Sequence, residues 1–167
     1  PVPRAHVDMY RGLVTCHSRG LCRYIGLSNY MPDDFGELVA SGACAEVQPV
    51  VNQIEITRSV IDFFVDKGII LQAYKPLVRG AALKAMQIVD IAQRHETTAA
   101  GVLLKWASQK GFCVLCKSRD TDRLAANKDA VDGGAFALSP QEIASLDALT
   151  TDAALEKGKA HYEFRRG

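Results

Sequence analysis

No apolar run in the 167-residue chain approaches the roughly 20 residues that a membrane-spanning helix requires. The opening residues, PVPRAH, lack the apolar core of a secretory signal. Charge of either sign is nearly balanced, at a net +1, and no basic stripe alternates with aromatics. Those absences argue against a membrane and against a nucleic acid as partner. The chain also opens on Pro1 rather than Met, in a loop-like stretch that reads as a processed, cleaved or truncated product.

Cysteine occurs five times, an odd number. Cys113 and Cys116 form a C-x-x-C, but it lies in FCVLC, a stretch with the character of a strand. Positions three apart on a strand face opposite ways. A thioredoxin-type motif needs a helix N-terminus, and a zinc site needs a second ligand pair. The sequence offers neither, so the expectation is small core thiols in a reducing compartment, the cytoplasm. His6, His17, His95 and His161 are scattered without ligand spacing, and solvated or structural roles are expected for them.

What is present is ordinary in bulk. With 48% hydrophobic and 23% charged residues, the chain reads as one soluble globular domain over residues 1–150, followed by a polar tail over 151–167. Helical and strand patterns alternate. Residues 7–18 read as a helix, 23–27 as a strand, and the stretch from Pro32 to a Gly42 stop as a helix facing inward through Phe35, Leu38 and Val39. PVVNQIEI (49–56), IILQAY (69–74) and FCVLC (112–116) are further strands. Helices are expected at 59–68, 81–94, 97–110 with a Thr97 or Thr98 cap, 121–131, and from the capping box SPQE to Leu149. Continuously apolar strands alternating with helices mean parallel β flanked by helices. A closed (β/α)₈ barrel typically takes ~250 residues, which favours an open sheet. No G-x-G-x-x-G follows any strand, however, so the dinucleotide fingerprint of the open fold is missing.

The C-terminal ends of the strands are where such folds place ligands. In order they carry Ser28-Asn29, then Asn52-Gln53, then Tyr74 followed by Lys75-Pro76-Leu77, then Lys117-Ser118-Arg119 with Arg123 and Asn127 beyond. Each has an ordinary structural reading. Ser-Asn begins turns, a glutamine satisfies buried backbone, a strand-end tyrosine is core, and neighbouring cations form a solvated face. Together they make an ordered set: amides and a hydroxyl, one aromatic face, then cations at a helix start, where phosphate is favoured.

The segments IGLSNY, VVNQIEI, LQAYKPL and CKSRDTDRLAAN, in that order, resemble successive segments of the aldo-keto reductase superfamily, over about residues 10–150. The resemblance implies the C-terminal half of a (β/α)₈ barrel, four parallel strands with outer helices, and NADPH as cofactor. It implies that Ser28, Asn29 and Gln53 hydrogen-bond the nicotinamide carboxamide and that Tyr74 stacks on the ring. Lys75, Pro76 and Leu77 would pass the pyrophosphate. Lys117, Ser118 and Arg123 would hold the 2′-phosphate, with Arg119 in the same cationic cluster and Asn127 at the adenine. Two positions depart from the family pattern. Lys75 stands where a small hydroxyl residue is usual, and Ala126 where an acidic contact to adenine is frequent.

The family's catalytic Asp, Tyr, Lys and His come from the first half of the barrel, so this chain is expected to carry the cofactor half without them. No motif promotes Tyr30, Tyr162 or His6 to those roles. The reading is an oxidoreductase that reduces aldehydes or ketones when whole. The alternatives are a non-catalytic half-barrel or pseudoenzyme module, which holds nucleotide without turnover or holds nothing, and, more remotely, an unrelated phosphate-binding α/β domain. A half-barrel leaves its first and last strands as unpaired edges, so association with the missing half or with itself is expected.

Overall fold

The computed structural model describes residues 5–74, 85–132 and 136–149. Its elements run α1 (Ala5–Ser18), β1 (Gly26–Ser28), α2 (Pro32–Ala40), β2 (Val51–Ile54), α3 (Arg58–Val65) and β3 (Ile70–Tyr74). They continue with α4 (Met86–Arg94), α5 (Ala99–Gln109), β4 (Cys113–Leu115), α6 (Thr121–Val131) and α7 (Pro140–Asp147). The strands form one four-stranded parallel sheet in the order β1-β2-β3-β4, with β1 and β4 at its edges. The expected loop at Lys75, Pro76 and Leu77 and the expected tail at 151–167 lie outside the described residues.

Among the described residues four helices stop by the same device: after α1, the amide of Gly20, left-handed at φ 70, donates to His17 and that of Leu21 to Cys16. After α3, the amide of Gly68 donates to Val65 and that of Ile69 to Phe64; after α5, Gly111 donates to Ser108 and Phe112 to Ala107. Each is the pair of backbone hydrogen bonds that closes a helix when the residue after its end turns left-handed. Glycine supplies that turn at φ 67 and 79. After α4 the left-handed residue is Glu96, at φ 50, and Thr97 then donates back to Ala92. This is the expected break at His95-Glu96, made without glycine.

Packing gathers the chain into two compact units. Among the described residues, those up to Ile54 with Val60–Gln72 form one, and Glu55–Ser59 with those from Ala73 onward form the other. In the first, Val7, Tyr10, Phe35, Leu38, Val60, Ile61, Phe64 and Leu71 are buried, each worth on the order of 1.5–3 kcal/mol of transfer free energy where the side chain is large and apolar. Phe64 meets Phe35 edge to face at 5.6 Å and Phe63 at 5.0 Å. In the second, Val102, Leu104, Trp106 and Ala107 of α5 pack with Ile88, Ile91, Phe112, Ala130, Leu138 and Leu146 as its core. Asp147 binds this unit together, accepting from Trp106 Nε1 at 2.8 Å and Lys110 Nζ at 2.9 Å, with Arg58 at 4.0 Å.

Three sequence expectations need correction. The first strand begins at Gly26, not Arg23, because its partner β2 begins at Val51, opposite Gly26; Tyr24, expected within the strand, is exposed. Val39 is exposed as well, since α2 buries Phe35 and Leu38 and the next position lies ~100° round the helix. The cysteines are not uniformly core: all five are free thiols, Cys44 is buried, and Cys113 is exposed on the edge strand β4.

Candidate functional site

The first unit sets the β1 and β2 strand ends side by side. Gly26 pairs with Val51, Leu27 with Asn52, and Ser28 with Gln53. Leu27 and Asn52 are buried on one face of the sheet, so period-2 alternation puts Ser28 and Gln53 together on the other. Beyond the last pair, Asn29 turns left-handed at φ 60, a conformation asparagine tolerates better than most residues, and its amide donates to the Gln53 carbonyl at 2.9 Å. Its side-chain nitrogen donates to Ser28 Oγ at 3.3 Å. Beneath this turn, the fully buried Asn52 donates from Nδ2 to the Tyr30 carbonyl at 2.8 Å. The turn that presents Ser28 and Asn29 is therefore pinned from the buried face. Gln53 in turn donates from Nε2 to Gln72 Oε1 at 2.5 Å.

Tyr30 and His6, neither promoted from the sequence, are brought together. His6 Nδ1 lies 3.1 Å from the Tyr30 hydroxyl, and its Nε2 lies 3.1 Å from Glu37 Oε2. Burial, and then the Asp34 carboxylate, push the Tyr30 phenol up from its ordinary value. That is the wrong direction for a proton donor to a carbonyl oxygen.

In the second unit, Tyr74 ends β3 half-buried. Lys117 and Arg119 are exposed, Ser118 and Asn127 half-buried, and the Arg123 side chain is 79% exposed. Asp120 caps α6: its Oδ1 accepts from the Arg123 amide at 3.0 Å, and its own amide donates to Ser118 Oγ at 3.1 Å. Ser118, Asp120 and Arg123 are thus drawn together at a helix N-terminus. The D-x-x-R pattern carried that signal, since an Asp cap accepts from the third residue on, but strand-end reading looked past it to the cations. Gln72 was legible too, because alternation along β3 gives it the same face as Tyr74.

Among the described residues no group of three or more His, Cys, Asp or Glu could hold a metal ion, and no helix is long and apolar enough to cross a membrane. The chemistry on offer is recognition. An amide-and-hydroxyl set at the ends of β1 and β2 matches a planar carboxamide, and a cationic helix start matches an anion.

Residues 3–151 match the model of the Aldo/keto reductase family. The chain belongs to that family. It is 33% identical over 150 residues to the glyoxal reductase of Bacillus subtilis, a match spanning 87% of this chain and 52% of that protein. It is also 33% identical over 171 residues to an aldo-keto reductase of Mycolicibacterium smegmatis, spanning 98% of this chain and 60% of the relative. The chain thus spans a little over half the length of these curated relatives. Among solved structures, a Gox0644 mutant in complex with NADPH matches with a TM-score of 0.81 at 29% identity, over 92% of this chain and 57% of the other. The aldose reductase from Schistosoma japonicum matches at 0.77 and 29%, over 90% and 48%. Four parallel strands that superpose on about half of such barrels make the fold the C-terminal half of a (β/α)₈ barrel.

Proposed function

We propose that the chain is the cofactor-holding half of an NADPH-dependent aldo-keto reductase that reduces aldehydes or ketones to alcohols. The observation that carries this is the register of Ser28 opposite Gln53 on one sheet face, with Asn29 turned over their ends. The Ser28 hydroxyl can donate and the Gln53 oxygen can accept, which is what a carboxamide with one oxygen and one NH₂ asks of its neighbours. The bound nicotinamide would supply the hydride. The task of this chain is to orient it: Ser28, Asn29 and Gln53 on the carboxamide and Tyr74 on the ring. Lys75, Pro76 and Leu77 would lie along the pyrophosphate. Lys117, Ser118 and Arg123 would take the 2′-phosphate, with Arg119 adding charge and Asn127 at the adenine. The resident of the other half-barrel, or a second copy, would cover the β1 and β4 edges.

A second reading, a nucleotide-binding half-barrel without turnover, is favoured by the upward shift of Tyr30, the phenol next to the Ser28-Asn29 pair. Both readings require nucleotide binding. Fluorescence titration of the chain with NADPH and NADH tests it, with NADPH expected to bind more tightly. Arg123→Ala should weaken NADPH by about 1.5–3 kcal/mol, the worth of a charge-assisted hydrogen bond, and leave NADH nearly unchanged. Equal losses for the two nucleotides would remove the 2′-phosphate assignment.

A further inference from the structure

Tyr30 follows Asn29 directly and is held at both ends. Its carbonyl accepts from Nδ2 of the fully buried Asn52 at 2.8 Å. Its hydroxyl lies 3.1 Å from Nδ1 of His6 on α1, 24 residues away, and the two rings meet edge to face at 5.5 Å. A single contact leaves a residue free to turn about it. Two contacts at opposite ends fix its orientation, and with it the peptide that joins Tyr30 to the left-handed Asn29 at φ 60.

The far side of the imidazole sets the direction of the second contact. His6 Nε2 lies 3.1 Å from Glu37 Oε2, and a carboxylate only accepts. A neutral imidazole here therefore carries its proton on Nε2 and a lone pair on Nδ1, so the Tyr30 hydroxyl donates to it. The other tautomer would set a lone pair against the carboxylate. Flipping the ring would put carbon at both contacts and lose both bonds.

We propose that His6 is a positioning residue: through the Tyr30 hydroxyl it holds the Ser28-Asn29 turn in the geometry that receives the nicotinamide. His6 acts through Tyr30 and touches no part of the ligand. The inference rests on the proposed nicotinamide site and deepens it, because it ties recognition of the ring to α1, an element that supplies no strand end.

Calorimetric titration of the whole chain with NADP⁺ and with 2′,5′-ADP, which lacks the nicotinamide, tests this. Tyr30→Phe removes the hydroxyl and His6→Leu removes its acceptor. Each should weaken NADP⁺ by about 2- to 10-fold, the range of one neutral hydrogen bond. Binding of 2′,5′-ADP should be unchanged in both and reports that they are folded. His6→Asn, whose amide oxygen takes the place of Nδ1, should bring NADP⁺ back to within about 2-fold of the natural chain. In an Asn29→Gly background, where glycine keeps the turn but has no side-chain amide, Tyr30→Phe should cost less than it does in the natural chain. Nitrogen NMR of the neutral imidazole should show the His6 proton on Nε2, and the Nδ1 resonance should move in Tyr30→Phe.

Equal losses for NADP⁺ and 2′,5′-ADP in Tyr30→Phe would show a merely structural contact and overturn the inference. Unchanged NADP⁺ binding in both variants, a His6→Asn chain as weak as His6→Leu, additive losses in the Asn29→Gly background, or a neutral His6 protonated on Nδ1 would overturn it as well. Each of these leaves the nicotinamide site itself standing. A natural chain that binds NADP⁺ no better than 2′,5′-ADP removes that site, and one that binds neither removes the proposed function; this inference falls with either.

Discussion

Asp120 holds Arg123 at two points: Oδ1 accepts from its backbone amide at 3.0 Å, and Oδ2 lies 3.7 Å from its Nε. A carboxylate therefore stands on the helix start where the proposed reading places a 2′-phosphate, and competes with that phosphate for the same guanidinium. Asparagine caps helices about as well as aspartate, so Asp120→Asn removes the charge while keeping the cap. NADPH should then bind about 1.4- to 5-fold more tightly, the range of an exposed ion pair worth about 0.2–1 kcal/mol. NADH should change little, and the gain should shrink in high salt. A loss of NADPH affinity in this variant would show that Asp120 supports the phosphate instead of opposing it.

The isolated chain is expected to oxidise no NADPH in the presence of a reactive aldehyde. On the proposed reading its strand ends orient a nicotinamide, while Tyr30 is shifted away from acidity. Positioned proton transfer typically contributes 10²–10⁴-fold, and stabilisation of the developing alkoxide would be missing too. Supplying the first half of such a barrel, fused or in trans, should restore turnover if the halves dock. Robust activity of the chain alone would mean that its own residues provide the acid.

Acid should loosen the link between α4 and α7. Burial raises the Glu142 carboxyl, but bonds from the Ser139 amide, His95, Arg94 and the Ser139 hydroxyl outweigh it and bring it down from 4.5 to about 2. A lowered carboxyl contributes stability that is complete above its unfolded value and lost as pH falls towards the folded one. The window is therefore pH 4.5 down to about 2. Thermal unfolding followed across that range should show a steeper fall for the natural chain than for Glu142→Gln, which cannot titrate. Parallel curves would count against Glu142 as the source.

Gly26 faces Val51 so closely that an added Cβ would lie 2.6 Å from Val51 Cγ1. Gly26→Ala should cost about 1–3 kcal/mol, as overpacking does, read from denaturant unfolding. Val51→Ala should cost less, and the double variant should recover most of the loss, since the offending methyl group is gone. Additive losses would show that the glycine is needed for something other than space beside Val51.

Much of the architecture was local and therefore legible. Ser139 and Glu142, three residues apart, close the capping box that opens α7, and Thr98 caps α5 by accepting from Gly101. The bounds of α6 were read correctly from Thr121 to Val131, although its Asp120 cap was not. The strand ends were legible too, because apolar runs break at polar residues, and four such breaks in order carried the family. What the sequence could not decide was which faces are covered and which side chains meet. Val39 and Cys113 have core chemistry but are exposed, since exposure depends on neighbours that periodicity does not name. Asn52 reaches the carbonyl of Tyr30, 22 residues away, and Gln53 meets Gln72, 19 residues away. Those bonds exist only once parallel strands are set in register. The strand residues named the groups that could recognise an amide; the sheet register decided which of them stand together.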